Sequence, residues 1–300
     1  MENQRNEKME KEITEFDCNG IIASAFIPEP PPIKLLCDEE EIALSFSGAG
    51  FLAAYHFGVT ACLVKNGEEL LKRVEKVAGC SAGSLCATLV ILAPNRLEEA
   101  RLDTCNLAAE VRAQPFGALT PGYYLHERVK SLVDKYIPDD ISVANGKLLI
   151  SVTEKSTREN KMISEFETRD ELISALSASC FIPFYSGLGC LPPQLRDQEF
   201  VDGGLSNNLP RVDGMRTVAI SPFASHDAEI SPLVNTAADW MITLGQQSIK
   251  LNRINGVRAM DALFPPRPDV VQRYYEEGFS DAFRFLCLNN LIKRQNGTQV

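Results

Sequence analysis

The stretch Lys76-Val77-Ala78-Gly79-Cys80-Ser81-Ala82-Gly83-Ser84 decides the fold of this chain. A short apolar run enters it and an uncharged apolar run, 84–92, leaves it, which predicts a buried strand followed directly by a buried helix. Between them stands the pattern Gly-x-Ser-x-Gly. A sharp strand-to-helix turn holds its serine in a strained conformation, and only glycines such as Gly79 and Gly83 allow such close approach. The Ser81 hydroxyl is therefore predicted to lie at a helix N-terminus, where the dipole favours developing negative charge.

A second glycine-rich turn, Ser47-Gly48-Ala49-Gly50, follows an apolar run of strand length at 42–46. Small residues there expose backbone N–H groups that can bind an anion. No Gly-Lys-Ser/Thr follows, which excludes a Walker-type phosphate loop. We predict an oxyanion hole in which the N–H groups of Gly48, Ala49 and Gly50 face the carbonyl oxygen of an ester attacked by Ser81.

A base must take the proton of the Ser81 hydroxyl, and Asp202 is one candidate. It follows a predicted strand and precedes Gly203 and Gly204, so its carboxylate stands at the carboxyl end of a strand. Ligand and catalytic groups of open α/β sheets gather at that edge. We expect burial beside the apolar Phe200 to raise the pKa of Asp202 and to make it a better base.

Histidine is the usual base of serine hydrolases, and the chain contains three histidines. His56 lies inside the first predicted buried helix and is interpreted as a core residue. His126 lies on an amphipathic helix and is interpreted as solvated. His226 lies in a polar loop, and its position after Ser81 fits the order Ser-Asp-His of α/β-hydrolases. The residues alone leave Asp202 and His226 both open.

Composition limits the classes of function. Thirty basic and forty acidic residues among 300 give a net charge of −10, which argues against nucleic acid and against broad electrostatic binding to anionic bilayers. Nine cysteines show no C-x-x-C pair or metal-ligand spacing, so a disulfide framework or a metal site is not predicted. We expect a reduced, cytoplasmic setting. No nucleotide or metal pattern is present, and no cofactor is predicted.

The chain divides into three predicted segments. Residues 1–41, with clustered prolines, are predicted to be a disordered or extended leader. Residues 42–211 are predicted to form the catalytic core, and residues 212–300 a strand and helices that complete the same domain. Strands alternating with helices predict an α/β fold whose mostly parallel sheet is covered on both faces. The region 231–292 is predicted to be mostly helical.

Two apolar stretches raise the question of a membrane. Residues 42–64 contain no charged side chain and are long enough to span a bilayer. Their glycines and serines favour a buried strand, a turn and a buried helix instead. The stripe of Phe and Leu residues at 279–292 predicts an amphipathic element, which packs on the domain or contacts a membrane or lipid droplet.

In their order along the chain, the turn at 47–50, the elbow at 79–83 and the Asp-Gly-Gly turn at 202–204 resemble the patatin-like phospholipase family. The segments 45–52, 117–123 and 200–210 resemble its adipose triglyceride lipase branch. The similarity runs from about residue 42 to residue 286, and the chain looks most like the short members that have little beyond the catalytic domain. Two positions depart from family patterns: Ala53 stands where a glycine is common, and Phe51 stands where plant members carry a basic residue.

The resemblance implies a three-layer α/β/α fold with a Ser-Asp dyad. Ser81 would be the nucleophile, Asp202 the base, residues 48–50 the oxyanion hole, and Gly79, Gly83, Gly203 and Gly204 its structural support. It also implies an acyl-lipid substrate (triacylglycerol, phospholipid or retinyl ester) and acyl transfer as well as hydrolysis. Two alternatives stay open: an α/β-hydrolase esterase with a triad completed by His226, and a lipid-binding protein of the same fold without turnover.

Overall fold

The computed structural model describes residues 40–233, 241–244, 247–250 and 253–292, with backbone alone for 241–244 and 247–250. The described residues belong to one compact unit. Most of the predicted leader, residues 1–39, lies outside them.

A mixed seven-stranded sheet forms the centre of the fold, in the order β5-β6-β3-β2-β1-β7 with β4 beside β3. Strands β7, β1, β2 and β3 are parallel, whereas β4 and β6 pair antiparallel with β3. Strands β8 and β9 form a separate antiparallel pair. The strands described are Ile42–Phe46 (β1), Val74–Cys80 (β2), Leu148–Glu154 (β3), Asn160–Ile163 (β4), Gln194–Leu195 (β5), Gln198–Asp202 (β6), Arg216–Ile220 (β7), Met241–Leu244 (β8) and Gln247–Lys250 (β9).

Helices flank this sheet, and the predicted α/β fold with a mostly parallel sheet is confirmed. The strand β1 is buried along its whole length, as expected for a parallel strand covered on both faces. The α-helices described are Ala53–Asn66 (α1), Glu68–Leu71 (α2), Ala82–Leu92 (α3), Leu97–Arg112 (α4), Leu125–Tyr136 (α5), Arg169–Ser179 (α6), Arg253–Leu263 (α7) and Pro268–Leu288 (α8).

The sequence interpretation of 231–292 as mostly helical is wrong for 241–244 and 247–250, where the structure has the β8–β9 pair. For 234–240, 245–246 and 251–252 the interpretation lies outside the described residues. The sequence carries a signal for it: Met-Ile-Thr-Leu and Gln-Ser-Ile-Lys are separated by two residues, the first of them glycine, a spacing typical of a β-hairpin. Farther along, Pro265 and Pro266 lie between the end of α7 and the start of α8, since proline does not continue a helix.

Both apolar stretches belong to the folded domain. Residues 42–64 form β1, a 3₁₀ turn at Gly50–Leu52 and most of α1, so the predicted strand, turn and helix are confirmed. Within the C-terminal stripe, Phe285 and Leu286 are buried, whereas Phe283 and Leu288 are partly exposed. Among the helices described, none combines the length and the hydropathy that crossing a bilayer requires.

Helices α1 and α8 cross at a pair of glycines. A Cβ atom at Gly58 would lie 1.9 Å from the carbonyl oxygen of Tyr275, and one at Gly278 would lie 2.1 Å from that of Tyr55. The two backbones therefore touch, which no larger residue allows. The buried Tyr55 hydroxyl donates to Asp281 Oδ2 over 2.7 Å and ties the helices together. This crossing anchors the C-terminal helix to α1, the helix that begins just after the glycine-rich turn.

We predict that Gly58→Ala lowers the free energy of unfolding by about 1–3 kcal/mol, because the clash is with backbone that cannot rotate away. Gly256→Ala is the matched control: Gly256 is also helical, but a Cβ there meets nothing within 4 Å. The control is expected to gain up to about 1 kcal/mol from helix propensity. Urea unfolding followed by circular dichroism measures both, and equal effects of the two substitutions would contradict the close crossing.

Candidate active site

Ser81 occupies a strained turn between β2 and α3. Its φ of 52° and ψ of −130° lie in a region that L-residues rarely adopt. A Cβ atom at Gly79 would lie 2.5 Å from the carbonyl oxygen of Gly83, and one at Gly83 would lie 2.3 Å from that of Phe46. Only glycine fits at both positions, so the predicted reason for the Gly-x-Ser-x-Gly spacing is confirmed.

The register of β3 brings Asp202 to this turn. Cys80, the last residue of β2, pairs with Ser151, and Asp202, the last residue of β6, pairs with the next residue, Val152. Strand β4 pairs with the same two residues of β3, so β2 and β6 must share its opposite side. Because β6 is antiparallel to β3, the carboxyl ends of β2 and β6 meet end to end. Ser81 and Asp202 are therefore neighbours in space.

Burial dominates the electrostatics of Asp202, which is only 4% exposed. Its Oδ1 accepts the Gly204 N–H over 2.7 Å and faces the Cys80 Sγ at 3.8 Å. Its Oδ2 is buried and lacks a hydrogen bond of normal geometry among the described residues. Desolvation raises the pKa of Asp202 to about 6, against the smaller opposing effects of the Ser81 hydroxyl, the Gly204 N–H and the Cys80 thiol. The expected upward shift is confirmed.

Two serines hold the backbone of the turn. The Ser81 N–H donates to Ser179 Oγ over 2.8 Å, and the Ser179 hydroxyl donates to the Ser151 carbonyl over 2.8 Å. Ser179 is fully buried at the end of α6, so it links the turn to β3. The role of Ser179 cannot be predicted from the sequence, since a serine near a helix end carries no local signal of a contact 98 residues away.

The glycine-rich turn lies against the same site. The Gly48 N–H donates to the Asn208 carbonyl over 3.0 Å, so this group is already engaged. The N–H groups of Ala49 and Gly50 donate to no acceptor among the described residues. Gly50 has φ +51°, and a Cβ there would lie 2.1 Å from the Ala262 carbonyl oxygen of α7. Of the three predicted donors, Ala49 and Gly50 are the ones left free to bind an oxyanion.

His56 supports the glycine-rich turn from the core. It is fully buried, as predicted, and its Nε2 lies 2.8 Å from the Ser47 carbonyl oxygen. Desolvation lowers the pKa of His56 to about 4, so the imidazole is neutral at physiological pH and donates from Nε2. Ala53, which stands where a glycine is common in the family, is the first residue of α1.

The other two histidines lie apart from Ser81. His226 is on an exposed bend and does not line the cavity that contains Ser81 and Asp202. His126 is more buried than the predicted solvated residue: its ring packs edge-on against Phe181, and desolvation lowers its pKa. Since Asp202 adjoins the serine and His226 does not, the geometry favours the carboxylate as the base.

A cavity of about 390 Å³ opens beside Ser81, within the size range of small-molecule sites. Its wall is mostly apolar, and among the described residues that line it Asp202 is the only charged one. Side chains of α3, α4 and α5 contribute to the wall, including Leu89, Leu107 and Val133. Such a cavity accepts an extended apolar chain whose polar end stays at Ser81. In the part of the chain that the structure describes, no group of three His, Cys, Asp or Glu residues can hold a metal ion.

Comparison with known proteins agrees with this architecture. A family model described as patatin-like phospholipase matches residues 44–213. Patatin-like phospholipase domain-containing protein 4 of Homo sapiens is 40% identical over 252 residues, which are 84% of this chain and 98% of that protein. Patatin-like phospholipase domain-containing protein 2 of Mus musculus is 37% identical over 84% of this chain and 51% of its own length. The Mus musculus protein named 1-acylglycerol-3-phosphate O-acyltransferase Pnpla3 is 37% identical over 87% of this chain and 62% of its own length. The crystal structure of VipD from Legionella pneumophila aligns with a TM-score of 0.48 at 13% identity, over 84% of this chain and 67% of that one.

The family model and the sequence relatives define an α/β protein of the lipid acyl hydrolase class. The chain belongs to the patatin-like phospholipase family. It spans nearly all of the first relative and between half and two thirds of the other two.

The buried carboxylate generates a prediction about stability. The pKa of Asp202 is raised from 3.8 to about 6 on folding, so the neutral acid stabilises the fold below about pH 4 and this contribution is lost as the pH rises through about 6. Asp202→Asn is neutral throughout. It should match the wild type in acid and exceed it by up to about 3 kcal/mol above about pH 7.

The measurement is urea unfolding at a series of pH values. Asp139→Asn, at an exposed aspartate, is the control and is expected to change stability by no more than about 0.5 kcal/mol. An Asp202→Asn variant that is less stable than the wild type at neutral pH would contradict the interpretation that the Asp202 carboxylate is desolvated and unpaired in the fold.

Proposed function

We propose that this chain is a serine lipid acyl hydrolase with a Ser81–Asp202 dyad. Ser81 Oγ attacks the ester carbonyl carbon, and Asp202 accepts the hydroxyl proton as the bond forms. The observation that supports this proposal most directly is the end-to-end meeting of β2 and β6, together with the apolar cavity that Ser81 and Asp202 both line.

The raised pKa of Asp202 supports its role as base. An aspartate of ordinary pKa, about 4, is a weak acceptor for an alcohol proton. A pKa of about 6 reduces the difference between the pKa of Asp202 and that of the serine alcohol. It still leaves the carboxylate ionised at neutral pH. Proton transfer accompanies attack, and the free N–H groups of Ala49 and Gly50 stabilise the oxyanion as it forms. The collapsing tetrahedral intermediate expels the alcohol, which takes the proton from Asp202.

The acyl group is then bound to Ser81 as an ester. Water attacks its carbonyl carbon, Asp202 accepts the proton of the water, and the acid is released when Ser81 Oγ leaves with that proton. An acceptor alcohol in place of water gives acyl transfer. The relative named as an acyltransferase, at 37% identity, supports transfer as a second outcome of the same intermediate.

The cavity wall supports a neutral acyl ester as substrate. Among the residues that the structure describes, no lysine or arginine lines the cavity, and a phosphate-bearing group would need such a partner inside it. Triacylglycerol and retinyl ester therefore fit the cavity better than a phospholipid bound head-first. A phospholipid remains compatible when its acyl chain enters and its head group stays outside.

We predict that Ser81→Ala and Asp202→Asn each lower kcat/KM for an emulsified long-chain ester by at least about 10³-fold, because each removes one half of the dyad. His226→Ala is the matched control for a triad and should retain the wild-type value. Fluorophosphonate labelling of the wild type, with none of Ser81→Ala, identifies the nucleophile. Loss of turnover in His226→Ala with retention in Asp202→Asn would establish the triad instead, and wild-type protein with neither labelling nor turnover would indicate a lipid-binding protein.

A second prediction concerns pH. Because the base acts as the carboxylate and the pKa of Asp202 is about 6, kcat/KM should rise as the pH increases through about 6 and then level off. A soluble ester assayed from about pH 4 to about pH 8 covers this limb. A profile that is already flat above about pH 4, the ordinary aspartate value, would contradict Asp202 as the base with a raised pKa.

A further inference from the structure

Helix α7 has its polar side inward and its apolar side outward. Asn255 and Arg258 are buried: the Asn255 amide exchanges two 3.0 Å hydrogen bonds with the backbone of Ala224, and Arg258 donates to the Pro222 carbonyl over 2.9 Å. The outward side carries large apolar side chains at intervals of three residues. They are Ile254, Val257, Met260 and Leu263. A surface helix normally has the reverse arrangement.

The loop between α6 and β5 adds to this surface. Residues 172–195 contain no charged side chain, and Leu188 and Leu191 are exposed. Phe184 is 77% exposed and has φ +67°. Exposure and left-handed backbone are both unfavourable for a bulky aromatic residue. Their coincidence in one side chain points to a contact that compensates for them.

A third segment, residues 113–125, is also uncharged and exposes Phe116, Leu119 and Tyr124. Contacts join the three segments into one surface. The His126 N–H donates to the Ser186 carbonyl over 2.9 Å, and the Tyr185 hydroxyl donates to the Leu263 carbonyl of α7. We call this surface the apolar rim. Its exposed members are Phe116, Leu119, Tyr124, Phe184, Leu188, Leu191, Ile254, Val257, Met260, Leu263 and Phe264.

The apolar rim is continuous with the cavity beside Ser81. Each of its three segments also contributes to the cavity wall, through Leu125, Ile182 and Leu263. Leu205, just after Asp202, lines the cavity and is itself exposed. The exposed apolar side chains therefore belong to the same segments that form the cavity wall, and we take Leu205 to mark the place where the cavity reaches the surface.

We propose that the apolar rim docks on the surface of a neutral or zwitterionic lipid aggregate and holds the cavity entrance against it. This inference rests on the proposed function. A lipid surface fits better than a protein partner, because a protein covering the rim would close the entrance to the cavity. Anionic head groups are disfavoured, since the chain carries a net charge of −10 and two of the three rim segments have no cation to pair with them. An acyl chain can then pass from the aggregate into the cavity without crossing water.

The test measures binding separately from turnover. Full-length protein carrying Ser81→Ala is floated with phosphatidylcholine vesicles and with phosphatidylcholine-coated triolein emulsions. Adding Val257→Glu and Met260→Glu places two carboxylates in the rim, outside the cavity wall, and should lower the partition coefficient at least about ten-fold. Leu102→Glu is the matched control: Leu102 is 50% exposed on α4, against 58% for Met260, and the control should bind as the parent does.

Kinetics with Ser81 restored give a second readout. The double variant should lose at least about ten-fold in activity on the emulsion while keeping its activity on soluble p-nitrophenyl butyrate. Phe184→Ser, on a different segment, should lower partitioning in the same direction, and it keeps the proposal testable when the double variant does not fold.

Unchanged partitioning of both rim variants would overturn the proposal. Light scattering gives another outcome that would overturn the proposal: an oligomer that is lost in the double variant while lipid binding stays intact. The rim would then be an interface between copies of the chain. Failure of the proposed function gives a different result: Ser81→Ala would retain turnover, whatever the flotation shows.

Discussion

One constraint underlies the candidate site: a single strand, β3, pairs along the same side first with β2 and then with β6. Cys80 and Asp202 lie opposite consecutive residues of β3, so the chain must leave the sheet at Ser81 for β6 to enter. Gly83, whose Cβ would overlap the carbonyl oxygen of Phe46, allows α3 to depart at once from the strand end. A one-residue slip of β6 would turn the Asp202 side chain to the other face of the sheet. The register of β3 therefore determines whether the serine and the carboxylate share one site.

The site also depends on polar groups that have no hydrogen-bond partner among the described residues. Buried carboxylates are usually paired or fully hydrogen-bonded, yet Asp202 Oδ2 has no partner of normal geometry among the described residues. The N–H groups of Ala49 and Gly50 also have no acceptor among the described residues. They are available to stabilise a negative charge that develops only during reaction. By contrast, the groups that position these atoms are hydrogen-bonded: the Ser179 hydroxyl, the Asn208 carbonyl and His56 Nε2 each have a partner. The acceptor Oδ2 of Asp202 and the donors of Ala49 and Gly50 belong to residues that line the same cavity.

Helix α7 contacts the glycine-rich turn on one side and exposes apolar side chains on the other. Its backbone lies against Gly50, its buried Arg258 pairs with Glu277 of α8 over 2.6 Å, and α8 in turn is locked to α1 by the glycine crossing. The helix is therefore held from within by polar contacts, which leaves its apolar side chains outward. This arrangement explains how a helix so poorly suited to water is retained beside the glycine-rich turn.

Local pattern determined much of this protein. The strand–turn–helix around Ser81, the buried strand β1 and the helix after it follow from short-range signals: glycine at points of close approach and uncharged apolar runs of characteristic length. The motifs at 47–50, 79–83 and 202–204 also indicate the family from the sequence alone. The β8–β9 pair was within reach of the same reasoning, but its two-residue spacing was interpreted as helix.

Only the tertiary structure decided which groups meet. Asp202 and His226 were equally open as bases from the residues alone, because the sequence does not contain the register that brings position 202 beside position 81 and leaves 226 on an exposed bend. Likewise, the engagement of the Gly48 N–H by Asn208, the Ser179 link and the outward apolar side of α7 are contacts between residues far apart in the chain. Local propensity specifies elements, whereas long-range pairing and burial determine which side chains share an environment, and pKa values and free N–H groups follow from that environment.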